Sequence, residues 1–543
     1  MEEKYDVIVI GGGPNGITAG AYLSRVGLKV LVLEKRYEMG GGVATEEVTH
    51  GGFYHNTHAI YMMMVDYAPA YRDLELEKLY GLKHTYPPLQ FAMPLSDGNC
   101  LCLYNDPERT SNSLARFSSD DAKVYRGLSE KFQGWMDDFL APYTYVQPKP
   151  TIDLAIQMER LEMGKEMFGL TDKTPRELIE EWFKDEHVRA LILNAVCFWG
   201  LDPEQSGLGY LVPLYFNRST NYRICLGGSH MLTQSLIKVN LENGGKLLTN
   251  QNLKRIVVDN GKALGVERED GTVFEAKAVI STLDLHQTFF KLVGEENLDG
   301  EFSEGLKLWM WEHWGFFSIH LALNEAPHFK AAEKDPEINR ALIYLLGCET
   351  VEDYIKHYKE IEGKEVSKKP IISCTFPTVF DSLQCRHPGR HTGLVQEHVP
   401  YDLKEGGTKK WYSIHFKEEV SKRVLETLAR FAPNINEERI RAKYISTPVD
   451  CENKFLDMVK GSIKQGQYHP LQMGYMRPNE HCSDHRSPIK GLYMGGACTY
   501  PGGTVLLGSG YLAAEAVVED LGATKWWKEP EMITKAREKG IPL

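Results

Sequence analysis

Residues 5–16 read YDVIVIGGGPNG, a short β-branched run that ends in a cluster of glycines. The run is typical of a strand buried on both faces of a parallel sheet. Gly11, Gly13 and Gly16 have the G-x-G-x-x-G spacing, and apolar residues at helical spacing follow them. A second strand pattern, KVLVLE, then occupies residues 29–34. The order of strand, glycine turn, helix and strand predicts a βαβ unit at the start of an α/β fold.

Each part of this unit has a physical role in binding a dinucleotide. Gly11 permits the tight turn, Gly13 lets the backbone approach a pyrophosphate, and Gly16 lets helix and strand pack closely. The helix N-terminus, with Pro14 and Asn15, offers N–H groups and partial positive charge to phosphates. Glu34 ends the second strand, where a carboxylate accepts hydrogen bonds from ribose hydroxyls. The unit therefore predicts a dinucleotide site; the alternative is a purely structural βαβ unit.

The residues after Glu34 favour FAD over NAD. Lys35 and Arg36 come first, and a second glycine cluster follows at Gly40–Gly42. NAD binding does not need such a cluster, whereas FAD requires the chain to wrap the second half of the dinucleotide. No other G-x-G-x-x-G follows a strand, so we do not expect a separate NAD(P) domain.

Composition bounds the class of protein. A chain of 543 residues predicts two to four domains. Lys and Arg number 62 against 74 Asp and Glu, a formal net charge of −12, which disfavours a nucleic-acid partner. We expect no membrane span and no secretory signal, and the ten scattered cysteines favour reduced thiols in a cytoplasmic protein without a metal site.

Later segments supply further elements. Thr174-Pro175-Arg176-Glu177 is an N-cap, an N1 proline and a capping-box acid, and predicts a helix that runs to about Cys197. Asn260-Gly261 and Asp270-Gly271 predict hairpin turns. The charged stretch 352–369 is expected to be a solvated surface insertion. Near the carboxyl end, a strand over 491–497 leads to a Gly-rich turn and a helix from about Ser509 to Asp520.

Taken together, these motifs resemble the phytoene desaturase-like branch of the flavin amine oxidase superfamily, which includes carotenoid desaturases, carotenoid isomerases and retinol saturase. The matching pieces are residues 11–34, 41–45, 227–282, 461–478 and 496–510, in the same order over nearly the whole chain. The resemblance implies a Rossmann-like FAD-binding domain interleaved with an α+β substrate-binding domain. Residues 1–100, 222–300 and 445–543 would form the first, and 101–221 and 301–444 the second.

The resemblance also implies roles for individual residues. The first glycine turn would cradle the pyrophosphate, Glu34 would bind the adenosine ribose, and Leu253 would contact adenine through backbone groups. The remaining cofactor contacts would come from Lys35, Arg36, Gly41, Gly42, Thr45, Gly496, Ala497, Gly503, Thr504, Val505 and Leu506. For the residues at 496–506, close strand–helix packing is the alternative.

The chain departs from the family pattern at several positions. Asn56 and His58 replace an Asp and a Gly, Gln465 stands where a His is frequent, and residues 385–389 are less apolar. Some of these positions could face substrate, so carotenoid desaturation itself does not follow.

Candidate acid–base residues are few, because in flavin chemistry the cofactor is the electron sink. His58 beside the flavin-proximal loop, Tyr500 before the Gly-rich turn, and His230 after Ser229 are the three candidates, each with a structural alternative. The aromatic cluster 309–317 and the methionine run 61–65 fit either core or the wall of an apolar pocket. Trp526-Trp527 fits either terminal packing or contact with a membrane surface.

The sequence therefore predicts an FAD-dependent oxidoreductase that desaturates or saturates a C–C bond of an apolar, terpenoid-like or alicyclic molecule by hydride transfer with flavin N5. One alternative is a non-redox isomerase of a polyene or enone that uses reduced FAD. Another is a non-catalytic flavoprotein subunit paired with a paralogous chain. Membrane association and assembly into a homo- or hetero-oligomer stay open.

Overall fold

The computed structural model describes residues 4–436 and 438–543. The first glycine turn lies at the end of a central strand, Lys4–Ile10, whose Val7, Ile8 and Val9 are fully buried. Parallel neighbours lie on both sides, with Val7 opposite Val30 and Ala278. The strands of this sheet are Lys246–Leu248, Val30–Leu33, Lys4–Ile10, Val273–Ser281, Lys262–Arg268 and Leu253–Asp259, and Leu492–Met494 also pairs with Val273–Ser281. The predicted α/β unit is confirmed.

Helices cover the first sheet because their small residues allow close approach. The helix Pro14–Arg25 packs against His230–Glu242 and Gly508–Asp520. A Cβ atom at Gly20 would lie 2.5 Å from the side chain of Asn240, so this contact requires glycine. Segments far apart in the chain thus build one unit around the first glycine turn.

A second sheet is antiparallel except where Ile343–Leu346 runs parallel to Leu89–Pro94. Its strands, in spatial order, are Ile440–Ser446, Trp314–Leu323, His391–Pro400, Ile372–Thr375, Ile343–Leu346, Leu89–Pro94 and Cys100–Tyr104. Phe317 and Val395 belong to an apolar core shared with Val424 of the helix Ile414–Phe431. Alternation along the strands turns Phe316, Ser318 and Gln396 to the opposite face, where they line a cavity.

Short elements complete the chain. Small strands pair Thr45–Glu46 with His55–Asn56, and Arg223–Cys225 with Tyr61–Met62 and His84–Thr85. The other α-helices are Pro69–Asp73, Leu76–Leu79, Pro107–Ala115, Ser119–Trp135, Ala141–Thr144, Thr151–Met158, Glu162–Thr171, Pro175–Trp182, Glu186–Cys197, Val212–Arg218, Gly300–Lys307, Val351–Glu362, Pro448–Phe455 and Glu531–Glu538. Met136–Leu140 and Gln287–Val293 are π-helical segments.

The prediction of one helix from Pro175 to Cys197 is wrong in its length. The capping box of Thr174 and Glu177 is present, but the helix ends at Trp182. The Asp121 carboxylate then accepts hydrogen bonds from the backbone amides of Lys184 (2.9 Å) and Asp185 (2.7 Å). Asp185 caps a new helix that begins at Glu186. A contact from 63 residues away therefore fixes the break.

Two further expectations are resolved by packing. The stretch 352–369 is only partly solvated: its helix Val351–Glu362 exposes charged residues such as Glu352 and Lys356, but buries Tyr354, Ile355 and His357 against the rest of the chain. The tryptophan pair packs rather than projects: Trp526 stacks on Tyr22 with ring centroids 5.5 Å apart, and Trp527 meets Tyr22 edge-on at 4.9 Å. Across residues 4–436 and 438–543, every helix is too short or too polar to cross a bilayer. The division into two interleaved domains stays a prediction.

Candidate functional site

A cavity of about 860 Å³ lies between the first glycine turn and the cavity-facing side of the second sheet. Its volume is within the range of known ligand sites, roughly 300–1,000 Å³. Of the predicted cofactor residues, it is lined by Gly11, Gly13, Pro14, Asn15, Glu34, Lys35, Arg36, Gly41, Gly42, Leu253, Ala497, Gly503, Thr504 and Val505. The structure therefore brings together residues from both ends and the middle of the sequence.

The first glycine turn leaves a helix N-terminus open to this cavity. Gly11 has φ +98°, and no side chain in the described part of the chain caps the helix that begins at Pro14. The orphan amides of that first turn are suited to an anion. Gly16 does not line the cavity; a Cβ atom there would lie 2.0 Å from the Gly11 carbonyl oxygen. Its role is close packing of helix on strand, as the spacing predicts.

Glu34 reaches back to the glycine turn. Its Oε2 accepts a hydrogen bond from the amide of Gly12 (2.7 Å), and its Oε1 accepts one from the amide of Arg36 (2.8 Å). The guanidinium of Arg36 lies over the Phe455 ring at 4.9 Å, and among the residues that the structure describes its buried Nη1 has no hydrogen-bond partner. An orphaned buried donor beside an uncapped helix N-terminus fits a phosphate-bearing ligand.

The second glycine cluster faces the first. A Cβ atom at Gly41 would lie 3.1 Å from the Cα of Gly13, so the two turns touch at the cavity wall. Thr45 is not in that wall. Its hydroxyl donates to Asn56 Oδ1 (2.8 Å) and accepts from the amide of His230 (3.1 Å), which ties two loops together.

The carboxyl-terminal contribution includes backbone in an unusual conformation. Thr504 and Val505 line the cavity with φ of +65° and +57°, a region that side chains disfavour. A Cβ atom at the preceding Gly503 would lie 2.8 Å from the Cα of Lys464. Gly496 and Leu506 lie outside the cavity lining; Gly496 packs against Thr282. Strained backbone held by its surroundings is characteristic of functional sites.

The three acid–base candidates have different surroundings. His58 lines the cavity, with its ring edge-on to Phe455 at 4.2 Å and Nδ1 3.9 Å from Cys451 Sγ. Burial, and secondly the charge of Lys454, hold the pKa of His58 well below its usual range, so the ring is a neutral base near pH 7.

The other two candidates are not brought to the cavity. Tyr500 is buried, packs edge-on against Tyr143 and donates its hydroxyl to the Tyr143 carbonyl, and burial raises its pKa well above the usual range. His230 starts a helix beside Thr45, and burial lowers its pKa. Neither side chain is among the lining residues.

The cavity wall also contains a group of carboxyls and amides that the sequence motifs did not predict. Asp457 Oδ2 accepts a hydrogen bond from Gln465 Nε2 (2.8 Å), and burial, then the nearby charges of Asp284 and Glu34, raise the pKa of Asp457 to about 7. Asp284 follows the carboxyl end of a parallel strand, a position that could have indicated it. Asp457 lies in an irregular segment whose sequence carries no such signal.

Part of the cavity lining is apolar and aromatic. Tyr61, Met63, Trp199 and Phe316 line it, together with the polar pair Ser318 and Gln396. Of the aromatic cluster, Phe316 thus belongs to the pocket, whereas Phe317 and Trp309 are core. The methionine run likewise contributes Tyr61 and Met63 to the wall.

Comparison with known proteins agrees with this geometry. Residues 16–291 match the family model described as flavin containing amine oxidoreductase. The chain is 38% identical to a limonene dehydrogenase subunit from Castellaniella defragrans, covering 100% of this chain and 99% of that protein. It is 24% identical to the neurosporene-forming phytoene desaturase of Rhodobacter capsulatus, covering 94% and 93%.

A solved structure supports the fold. An oxidoreductase from Methanosarcina mazei superposes with a TM-score of 0.60 at 17% identity, covering 95% of this chain and 100% of that one. The open helix N-terminus, the orphaned Arg36 donor and the paired glycine turns fit the predicted cofactor. The chain therefore belongs to the flavin containing amine oxidoreductase family, as a phytoene desaturase-like flavin oxidoreductase whose cofactor is FAD.

Proposed function

We propose that this oxidoreductase desaturates or saturates a C–C bond in a predominantly apolar, terpenoid-like or alicyclic molecule. The main support for the proposal is that a single cavity has both a lining suited to a dinucleotide and an apolar, aromatic lining. One part has the uncapped helix and Glu34; the other has Tyr61, Trp199 and Phe316. The names of the two relatives, a limonene dehydrogenase subunit and a phytoene desaturase, support substrates of this class.

The chain's own contribution is binding, exclusion of water and a base. When bound, FAD supplies a two-electron centre that can take or give a hydride at N5. The glycine turns and Glu34 would hold the dinucleotide, and the aromatic wall would hold the substrate away from water. His58 Nε2 has no hydrogen bond within the described chain, so this atom of the neutral ring would take the proton that leaves the substrate.

The test is an anaerobic titration of the purified flavoprotein with a cyclic monoterpene hydrocarbon. We expect loss of visible flavin absorbance and a product two hydrogens lighter by mass spectrometry. A His58→Gln variant should keep its FAD and react about 10²- to 10⁴-fold more slowly, because a positioned base contributes about that much. With the flavin reduced beforehand, a product of unchanged mass would instead indicate the non-redox isomerase, and a product two hydrogens heavier would indicate saturation. Binding without bleaching or turnover would indicate a non-catalytic subunit.

We also propose that the chain acts together with another polypeptide. The relative from Castellaniella defragrans is named as a subunit and matches this chain over its whole length. Measurement of the native mass, alone and with a co-expressed paralogue, tests this. A sole monomer under both conditions would contradict it.

A further inference from the structure

The apolar part of the cavity contains a polar pair supplied by the second sheet. Ser318 lies directly opposite Gln396 on adjacent antiparallel strands. Gln396 Nε2 donates a hydrogen bond to Ser318 Oγ at 3.0 Å, and both residues line the cavity beside Phe316. The two side chains are therefore held in place by register as well as by their mutual bond.

The pair is only half satisfied by the protein. A glutamine amide offers one acceptor oxygen and two N–H donors, and a serine hydroxyl can donate as well as accept. Within residues 4–436 and 438–543, Gln396 Oε1 accepts no hydrogen bond and the Ser318 hydroxyl donates none. An acceptor and a donor thus remain available at the cavity wall.

The position of the pair argues against a role in stabilising the fold. The next residues along the strand, Phe317 and Ile319, are fully buried in the core on the other face. A wall built only for hydrocarbon would carry apolar side chains at 318 and 396 too. A hydrocarbon that filled this space would remove water from both polar groups without replacing its hydrogen bonds, at a cost in affinity.

We propose that Ser318 and Gln396 determine specificity by binding a hydroxyl or carbonyl oxygen on an otherwise apolar, alicyclic substrate. A substrate hydroxyl would donate a hydrogen bond to Gln396 Oε1 and accept one from the Ser318 hydroxyl. A substrate carbonyl would only accept one, from the Ser318 hydroxyl. The remainder of the molecule would lie against Phe316, Tyr61 and Trp199. This inference rests on the proposed function and specifies its substrate class.

The experiment compares a cyclic monoterpene alcohol with the hydrocarbon of the same skeleton. Binding to the holoenzyme is followed by tryptophan fluorescence, because Trp199 lies in the cavity wall. We expect the native protein to bind the alcohol about tenfold more tightly, the effect of one or two net hydrogen bonds. Gln396→Leu and Ser318→Ala should each remove most of that preference. Phe316→Leu, the control, should weaken both ligands alike.

The outcomes separate this inference from the function on which it rests. Equal or stronger binding of the hydrocarbon by the native protein, or an alcohol preference unchanged in both variants, would overturn the polar anchor and leave the proposed function intact. Failure of both ligands to bind would reject the apolar substrate class itself. Flavin content and circular dichroism of each variant report its folding, and Ser318→Ala, the smaller change, keeps the test valid if Gln396→Leu does not fold.

Discussion

Gly510 near the carboxyl end lies against Asn15 of the first glycine turn, so closely that a Cβ atom at Gly510 would be 2.1 Å from the Asn15 carbonyl oxygen. The contact joins segments almost 500 residues apart and fixes the start of the helix Pro14–Arg25. It links the stability of the fold to the geometry of the cofactor cavity.

We therefore expect Gly510→Ala to lower both the midpoint of thermal unfolding and the affinity for FAD, because the helix N-terminus must move. Calorimetry and flavin titration measure the two effects. Gly127→Ala, within the helix Ser119–Trp135, is the control, because a Cβ atom at Gly127 would have no described atom of another element within 4 Å. Since alanine favours a helix more than glycine does, this variant should raise the free energy of unfolding by about 1 kcal/mol. Normal FAD binding by Gly510→Ala would show that the contact does not position the turn.

Gly13 provides a different kind of test. Its φ of −73° suits any residue, and a Cβ atom added there would have Gly41 Cα, at 4.0 Å, as its nearest neighbour. Gly13→Ala should leave the unfolding of the apoprotein nearly unchanged but weaken FAD binding at least about tenfold, because the methyl group occupies the path of the pyrophosphate. Unchanged affinity in a flavin-fluorescence titration would place the pyrophosphate elsewhere.

Glu34→Ala should weaken FAD binding about 10- to 100-fold, since a hydrogen bond to a charged group contributes roughly 1.5–3 kcal/mol. Glu34→Gln should lose less FAD affinity, because the amide oxygen of its glutamine can still accept a hydrogen bond from the Gly12 amide. Isothermal titration of the apoprotein measures both. Glu269→Gln, an exposed carboxylate at the end of another strand, is the matched control and should bind FAD normally.

The raised pKa of Asp457 predicts that FAD affinity depends on pH. Its pKa of about 7 means that it ionises as the pH rises through neutrality, adding negative charge near Glu34 and Asp284. FAD affinity should therefore fall by about tenfold between pH 6 and 8. A change of this size corresponds to an interaction between Asp457 and the cofactor that shifts a pKa by about one unit. Asp457→Asn should flatten that dependence, and Asp259→Asn, on an exposed strand end, should not.

The raised pKa of Asp457 also predicts how the free energy of unfolding depends on pH. In the unfolded chain Asp457 ionises near 3.8, so between that pH and about 7 the folded state binds more protons. The contribution of this group to the free energy of unfolding must then fall as the pH rises across that window and level off above it. Chemical denaturation of native protein and Asp457→Asn at pH 5 and pH 8 measures the difference; identical pH profiles would contradict the shift.

Local sequence was enough to predict the first βαβ unit, the hairpin turns and the fold class, because glycine spacing, β-branched runs and capping residues act over short distances. Tertiary contacts overrode local sequence where one partner was remote. The Asp121 carboxylate divides the predicted helix after Trp182, and packing of Tyr354 and Ile355 holds one face of a highly charged helix against the core. Nothing in the order of residues showed that Asp457 would meet Gln465.

By itself, then, the sequence determined that a dinucleotide-binding turn exists and which family it resembles, since each glycine acts through its own backbone. Only the tertiary structure decided which candidates share one cavity: His58 lies in its wall, whereas Tyr500 and His230 do not, and Ser318 meets Gln396 there. The physical reason is that a cavity is bounded by side chains from distant segments. The direction in which each side chain points depends on sheet register and helix packing, which no local pattern encodes.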